Sequence, residues 1–440
     1  MRRKILSLAL AGIMALGMLG GCGKKEAGPA AGADGQTTET AAAGDTGKAA
    51  GGEVKNLDMF WFADGAETDA MKKLIAEYEG MNPNIKINLL EVPFDEMENK
   101  IMMSVSGGEA PALSRTTEGI ISAVHEATLD LGDYVDREEF LGQFIPSIQN
   151  YYVVNGKICA APTDVTANGM IYNKTAFEKA GVEVPTDPDD VWTWDEFVEA
   201  VKKVMQDGGV QYGLVIDNPT HRWATIMYQF GGHFLSKDGP DFNRQENIDA
   251  INFTKELFDE GIVPKSTWLG GEDPNNMFRS GQVAVHLAGN WMLTNYHDNI
   301  KDFEWGVTYM PKQKNRSSVP GGKQLAAFKD TGVEQEAVDF IKFVTSKEAN
   351  EQYCRESLFL SPRLDNAEIE YPFGEEYFAV FANELANTVP DASFDMGYPG
   401  FTGKINPSQK EGMFEIIAGN KTAEEHVKEI DELAAEVFQK

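Results

Sequence analysis

From residue 57 to residue 438, short apolar runs of strand length alternate with stretches whose apolar residues recur at helical spacing. That alternation constrains the fold more than any other feature of the chain. Leu57-Asp58-Met59-Phe60-Trp61-Phe62 reads as a buried strand. Residues 68–79 then carry Met71, Leu74, Ile75 and Tyr78 on one helical face. After the Asn82-Pro83-Asn84 turn, Ile85, Ile87 and Leu89 alternate with Lys86 and Asn88, a second strand. Residues 95–105 are helical again. Thr193-Trp194-Asp195-Glu196 is a capping box that opens a helix to about Val204. Ile248, Ile251, Leu257 and Phe258 repeat at helical spacing and stop at Gly261, as a helix does at a C′ glycine. Residues 283–287 and 324–328 have strand character, and 334–344 and 422–438 are amphipathic helices. Strands alternating with helices predict α/β layers with mainly parallel sheets. The stretch from Val54 to Lys440 is too long for one ordinary core and predicts two lobes.

The start of the chain reads differently. Met1-Arg2-Arg3-Lys4 is basic, and residues 5–19 are an apolar run. At about 15 residues this run falls short of the roughly 20 that span a bilayer as a helix, so it reads as a secretion signal. Leu19-Gly20-Gly21-Cys22 matches the box that ends bacterial lipoprotein signals, with Cys22 as the lipidated residue. Residues 1–21 are therefore the expected signal peptide and 22–53 the lipidated cysteine with a disordered tether, poor in large apolar side chains. As a flexible coil the tether reaches roughly 30 Å. The expected location is extracytoplasmic, lipid-anchored to the outer face of the cell membrane.

Removing Arg2, Arg3 and Lys4 with the leader leaves 36 basic against 69 acidic residues, a formal charge of −33. Such a chain is repelled by phosphate backbones, so nucleic acid is excluded as a partner. No polybasic patch offers a second membrane attachment, and a multiply acylated cysteine supplies what one acyl chain does not. Cys159 and Cys354 could pair in an oxidising compartment, but two cysteines in a long chain are more often separate and buried. The six histidines have no short metal-ligand spacing, and nothing implies a metal or cofactor.

Several segments resemble the extracellular solute-binding proteins of bacterial ABC importers, in the group that binds sugars and oligosaccharides. They are the Leu57–Phe62 strand with its following helix, and Gly169-Met170-Ile171-Tyr172-Asn173-Lys174-Thr175-Ala176-Phe177 with Ala180-Gly181-Val182. Met277-Phe278-Arg279-Ser280-Gly281-Gln282-Val283-Ala284-Val285 runs on to Gly289-Asn290-Trp291. Gly321-Gly322 and the Ile416-Ile417-Ala418-Gly419 region complete the set. The resemblance implies a type II periplasmic-binding-protein-like fold, two α/β lobes with mainly parallel sheets joined by hinge crossings. The crossings are expected near 162–168, 320–324 and 359–363. The N-terminal lobe is then 54–163 plus about 324–360, and the C-terminal lobe 164–323 plus about 361–440. This chain departs from the family at Pro111-Ala112, where Pro-Asp is common, and at Cys159, where an aromatic is usual.

A sugar offers edge hydroxyls and a weakly apolar face, so its cleft needs flat aromatics and planar polar side chains. Loops at the carboxyl ends of strands are favoured places for them. Trp61, Asp64 and Glu67 follow the first strand. Arg115 and Thr116 follow the Ala112-Leu113 run and are expected to open the next helix, with Arg115 placed for bidentate bonds to vicinal hydroxyls. Asp164 and Asn168 lie on the first expected crossing. Trp223, with His221 or Arg222, follows the 212–216 strand. Trp291 matches the family's Gly-x-Trp tryptophan, which stacks on sugar, and follows the 283–287 strand. Gly322, where backbone could approach ligand, Arg363 and Phe401 complete the ligand-binding candidates. No catalytic residue is assigned.

The expected function is a monomeric substrate-binding lipoprotein that captures a sugar or oligosaccharide between its lobes and delivers it to a membrane permease. No Walker motif occurs, so ATP hydrolysis belongs to another subunit. A peptide or polyamine on the same fold is the alternative ligand. An anchored glycoside hydrolase is the rival enzyme, for which no specific carboxylate motif speaks.

Overall fold

The computed structural model describes residues 53–438 except 64, 65, 219 and 367. The signal peptide, Cys22, the tether and Asp64 lie outside the described residues.

Nine strands build two sheets: β1 (Lys55–Trp61), β2 (Ile85–Glu91), β3 (Leu113–Thr116), β4 (Ala161–Thr166), β5 (Asn168–Asn173), β6 (Tyr212–Ile216), β7 (Val283–Gly289), β8 (Trp305–Thr308) and β9 (Gly321–Ala327). The first sheet has the order β2-β1-β3-β9-β4, the second β8-β5-β7-β6. In the first, β1 is parallel to β2, with Leu57 opposite Ile87, and parallel to β3. β9 is antiparallel to β3 and to β4, with Gln324 opposite Thr116 and Gly321 opposite Thr166. In the second, β7 is parallel to β6 and antiparallel to β5, which is antiparallel to β8. In each sheet one strand, β9 in the first and β5 in the second, runs against the others, which share one direction. The physical reason lies in the crossings. A strand arriving from the other lobe enters where the parallel strands end, so it must run against them.

Helices cover both sheets: α1 (Glu67–Met81), α2 (Phe94–Ser106), α3 (Glu118–Val124), α4 (Trp194–Lys203), α5 (Thr220–Phe230), α6 (Gln245–Asp259), α7 (Glu334–Val344), α8 (Lys347–Ser357), α9 (Glu375–Ala386), α10 (Pro390–Gly397), α11 (Asn406–Ala418) and α12 (Ala423–Phe438). α1 packs on α8 and α7 lies on β9 in the first lobe. α9 packs on β5 and β8, and α11 and α12 pack on α6, in the second. α10 touches both α3 and α5, so it belongs to the seam between lobes. Thr193 and Glu196 form the expected capping box at the start of α4. Arg115 and Thr116 are strand residues of β3, and it is Thr117 that caps α3.

The chain passes from β4 to β5 through the single residue Ala167 and returns through residues 309–320. Residues 164–166 and 321–323, expected in the second lobe, pair with one another in the first sheet. Leu360 bridges to Val165 and Arg363 to Phe144, so the chain leaves the first lobe only after Arg363. Cys159 and Cys354 are separate, free and buried.

Candidate ligand-binding cleft

β1, β2 and β3 end along one edge of the first sheet, where β9 enters and β4 leaves. In the second sheet β5 begins, and β6, β7 and β8 end, along the edge that carries Asn168 and Gly289. The crossings join these two edges, so the carboxyl ends of most strands face each other across a cleft. Ligands of open α/β sheets collect at such ends.

On the first lobe, Trp61 is fully buried and its indole N–H donates to Thr68 Oγ1 at 3.0 Å. Arg115 is buried too: it donates to Phe62 O and, at 2.8 Å, to Glu67 Oε1, with Asp164 Oδ2 3.9 Å away. Its guanidinium carbon lies 4.8 Å from the Trp61 ring and 4.6 Å from the Phe62 ring. Trp61, Glu67 and Arg115 thus form one interior cluster that stiffens the cleft edge from behind; none reaches the cleft surface. Thr116 Oγ1 donates to Gln324 O across the β3–β9 seam. Asp164 Oδ1 accepts the Lys323 N–H at 3.1 Å, and a Cβ on Gly322 would stand 2.6 Å from Asp164 O. Gly322 is therefore glycine because two backbones meet there. Burial pushes the Glu118 carboxyl at the start of α3 up, while Lys323 pulls it down.

On the second lobe, Trp291 follows β7 and is partly exposed. A Cβ on Gly289 would lie 1.8 Å from its ring, so this glycine lets the indole fold back over the strand end. The Arg222 guanidinium carbon sits 4.2 Å from the Trp291 ring centre, a cation–π contact. Arg222 also donates to His221 Nδ1 at 2.6 Å and lies 3.5 Å from Asp217 Oδ2. Because arginine only donates, Nδ1 of His221 is the acceptor and its Nε2–H points to Pro320 O, 3.4 Å away on the returning crossing. Burial, then the Arg222 and Lys323 charges, push His221 down to about 3, so the ring is neutral. Burial raises Asp217, but His286 and Arg222 outweigh it and hold the carboxyl below its ordinary range.

Asn168 is turned into the second lobe, donating to Thr225 Oγ1 at 2.8 Å, while its backbone exchanges bonds with Ser318 across the crossings. Three expected ligand residues are packing residues instead. Trp223 is buried with its N–H on Thr254 Oγ1 at 3.0 Å, because it faces α6 and not the cleft. Arg363 pairs with Asp365 and donates to Gln143 Oε1 and Thr345 O inside the first lobe. Phe401 is fully enclosed, edge-on to Phe234. The structure thus brings Asp164, Gly322 and Trp291 toward the crossings and withdraws the others.

Phe94, at the start of α2, was not singled out in the sequence. It lies three residues past the end of β2, so the strand-end rule applied to Trp61 also pointed there. Among the described residues no group of three or more His, Cys, Asp and Glu could hold a metal, and no helix is long and apolar enough to cross a membrane. A cavity of about 620 Å³ lined by Tyr172, Trp305 and Tyr377 lies at the opposite edge of the second sheet, remote from the crossings.

Two mixed α/β lobes facing across short crossings define a two-lobed binding protein. The chain belongs to the bacterial extracellular solute-binding proteins, whose family model matches residues 73–372. It is 25% identical over 80% of its length to a putative binding protein of Brucella abortus, covering 89% of that protein. An arabinooligosaccharide-binding protein of Halalkalibacterium halodurans is 26% identical over 70% of this chain and 71% of its own length. The fold matches an ABC substrate-binding protein of Listeria monocytogenes solved with cycloalternan, at TM-score 0.73, 20% identity, and coverage of 88% of this chain and 100% of that one.

Proposed function

We propose that this chain is the substrate-binding lipoprotein of a carbohydrate ABC importer, capturing a sugar or oligosaccharide between its lobes without converting it. The observation that carries the reading is Trp291. It is a partly exposed indole at the carboxyl end of a strand, beside the crossing, with the Arg222 guanidinium over its ring and His221 and Asp217 in turn held by Arg222. A sugar's apolar face stacks on the indole, and its hydroxyls pair with those polar groups. To stack there the sugar displaces Arg222 from the ring, and Asp217 is placed to receive it. The arabinooligosaccharide-binding relative and the cycloalternan complex support a saccharide as the ligand class.

Ligand that touches both lobes favours the closed form, and a preference of about 1.4 kcal/mol shifts the closed-to-open ratio tenfold. The closed, monomeric protein is the form a membrane permease would recognise. Cys22, acylated, holds it on the outer face of the membrane, and the tether gives it reach. A Cys22→Ser chain that still partitions with membranes would contradict that anchor. The reading itself is tested by thermal shift over mono- and oligosaccharides with product analysis. A raised midpoint with intact sugar supports capture; released shorter products would establish a hydrolase.

A further inference from the structure

A second aromatic stands just past the outermost strand on the edge of the first sheet where β1, β2 and β3 end. Phe94 is 51% exposed, the one aromatic ring among the exposed large hydrophobic residues described. It is held in place from behind: its ring leans on Phe62 at 5.1 Å between centres, and Phe62 is itself buried. Phe62 in turn rests on the Arg115 guanidinium, which Glu67 fixes. The backbone is fixed as well, because Val92 N–H donates to Trp61 O at 2.8 Å and ties the end of β2 to the end of β1. Pro93 then starts α2, with Phe94 as its first residue. A stiffly mounted, half-exposed phenyl ring on the cleft edge is the arrangement that stacks on a sugar face.

Its position also speaks to ligand length. β2 is the outermost strand of the first sheet, three strands from β9, which enters beside the crossing. At the ordinary strand spacing that is roughly 14 Å. Trp291, by contrast, follows β7, the strand next to the crossing strand β5. The two aromatics thus stand at different places along the facing edges, Phe94 at the outermost strand of one sheet and Trp291 beside the crossing in the other.

Resting on the carbohydrate reading above, we infer that Phe94 is an outer stacking platform of the cleft, so that this chain takes an oligosaccharide whose inner ring lies against Trp291 and whose distal ring lies against Phe94. Phe94 then sets chain-length preference, and Trp291 sets binding as such. Titration calorimetry with malto- and arabino-oligosaccharides of one to six units tests this on wild type, Phe94→Ala and Phe94→Trp. The expected result is that Phe94→Ala weakens the longest bound sugar about tenfold and leaves the shortest within about twofold, while Phe94→Trp keeps the affinity for the longest. The half-exposed position makes Phe94→Ala a folded protein, checked by an unchanged thermal midpoint. Wild-type binding with no loss in Phe94→Ala, or an equal loss at every length, overturns this inference alone. No binding of any member by wild type overturns it together with the carbohydrate reading.

Discussion

Arg115 is placed where its loss reaches furthest through the first lobe. It is buried against Glu67, Trp61 and Phe62, and Asp164 lies within ionic reach. Removing one member of a buried ion cluster strands the opposite charge, at about 3–5 kcal/mol. Arg115→Ala should therefore lose that much stability in urea unfolding, whether or not sugar is present. His221 supports a prediction of a different kind. Its folded pKa lies at about 3, against an ordinary value near 6.5 in the unfolded chain. The stability that comes from keeping it neutral is thus present above pH 6.5 and drains away as pH falls toward 3. Asp395 and Glu384, both held up to about 7 by burial, act in the opposite sense, so the test is a difference between proteins. In His221→Gln the acid loss of stability between pH 6.5 and 5 should be shallower than in wild type by about one proton. Parallel slopes in urea titrations at those pH values would remove His221 from the balance.

The elements show how local rules build the cleft edge. Gly289 ends β7 with no room for a methyl group under Trp291. Gly289→Ala should leave the two lobes folded but turn the indole out of position, weakening saccharide binding about as much as loss of Trp291 itself. Unchanged affinity in that variant would mean the ring's seat over the strand does not matter. Elements of this kind were legible because their signals are local. The helix at 334–344, the capping box at Thr193 and the strand before Trp291 each follow from periodicity or a four-residue pattern. The roles of the candidate residues were less legible, because they depend on partners far along the chain. Arg115 is turned inward by Glu67, 48 positions away, and Trp223 by Thr254, 31 positions away. A tryptophan at a strand end announces an aromatic near the edge, not the face it takes; Trp61 went to the interior because Thr68 satisfies its N–H. The direction of β5 and β9 was hidden for a similar reason. Which way a strand runs in its sheet is decided by where the chain crosses between lobes, and no local pattern records that.

At the scale of the whole molecule, the lobes are joined by one residue at Ala167, by the return through 309–320 and by the chain that leaves after Arg363, with α10 in the seam. Small connections between two well-packed bodies allow relative motion, and a ligand that contacts both lobes should select the closed arrangement. Solution scattering with and without a saccharide that raises the thermal midpoint should give a smaller radius of gyration in its presence. The same ligand at a hundredfold excess over Kd should add about 2.7 kcal/mol of stability by mass action. The strongly acidic composition keeps such a protein dispersed and away from anionic headgroups, so the proposed membrane attachment rests on the lipid at Cys22 alone. The most direct measurement of that account is titration calorimetry of malto- and arabino-oligosaccharides against wild type and Trp291→Ala. The account predicts saturable binding by wild type and a loss of tenfold or more in Trp291→Ala at an unchanged thermal midpoint; equal affinity in the two proteins would contradict it.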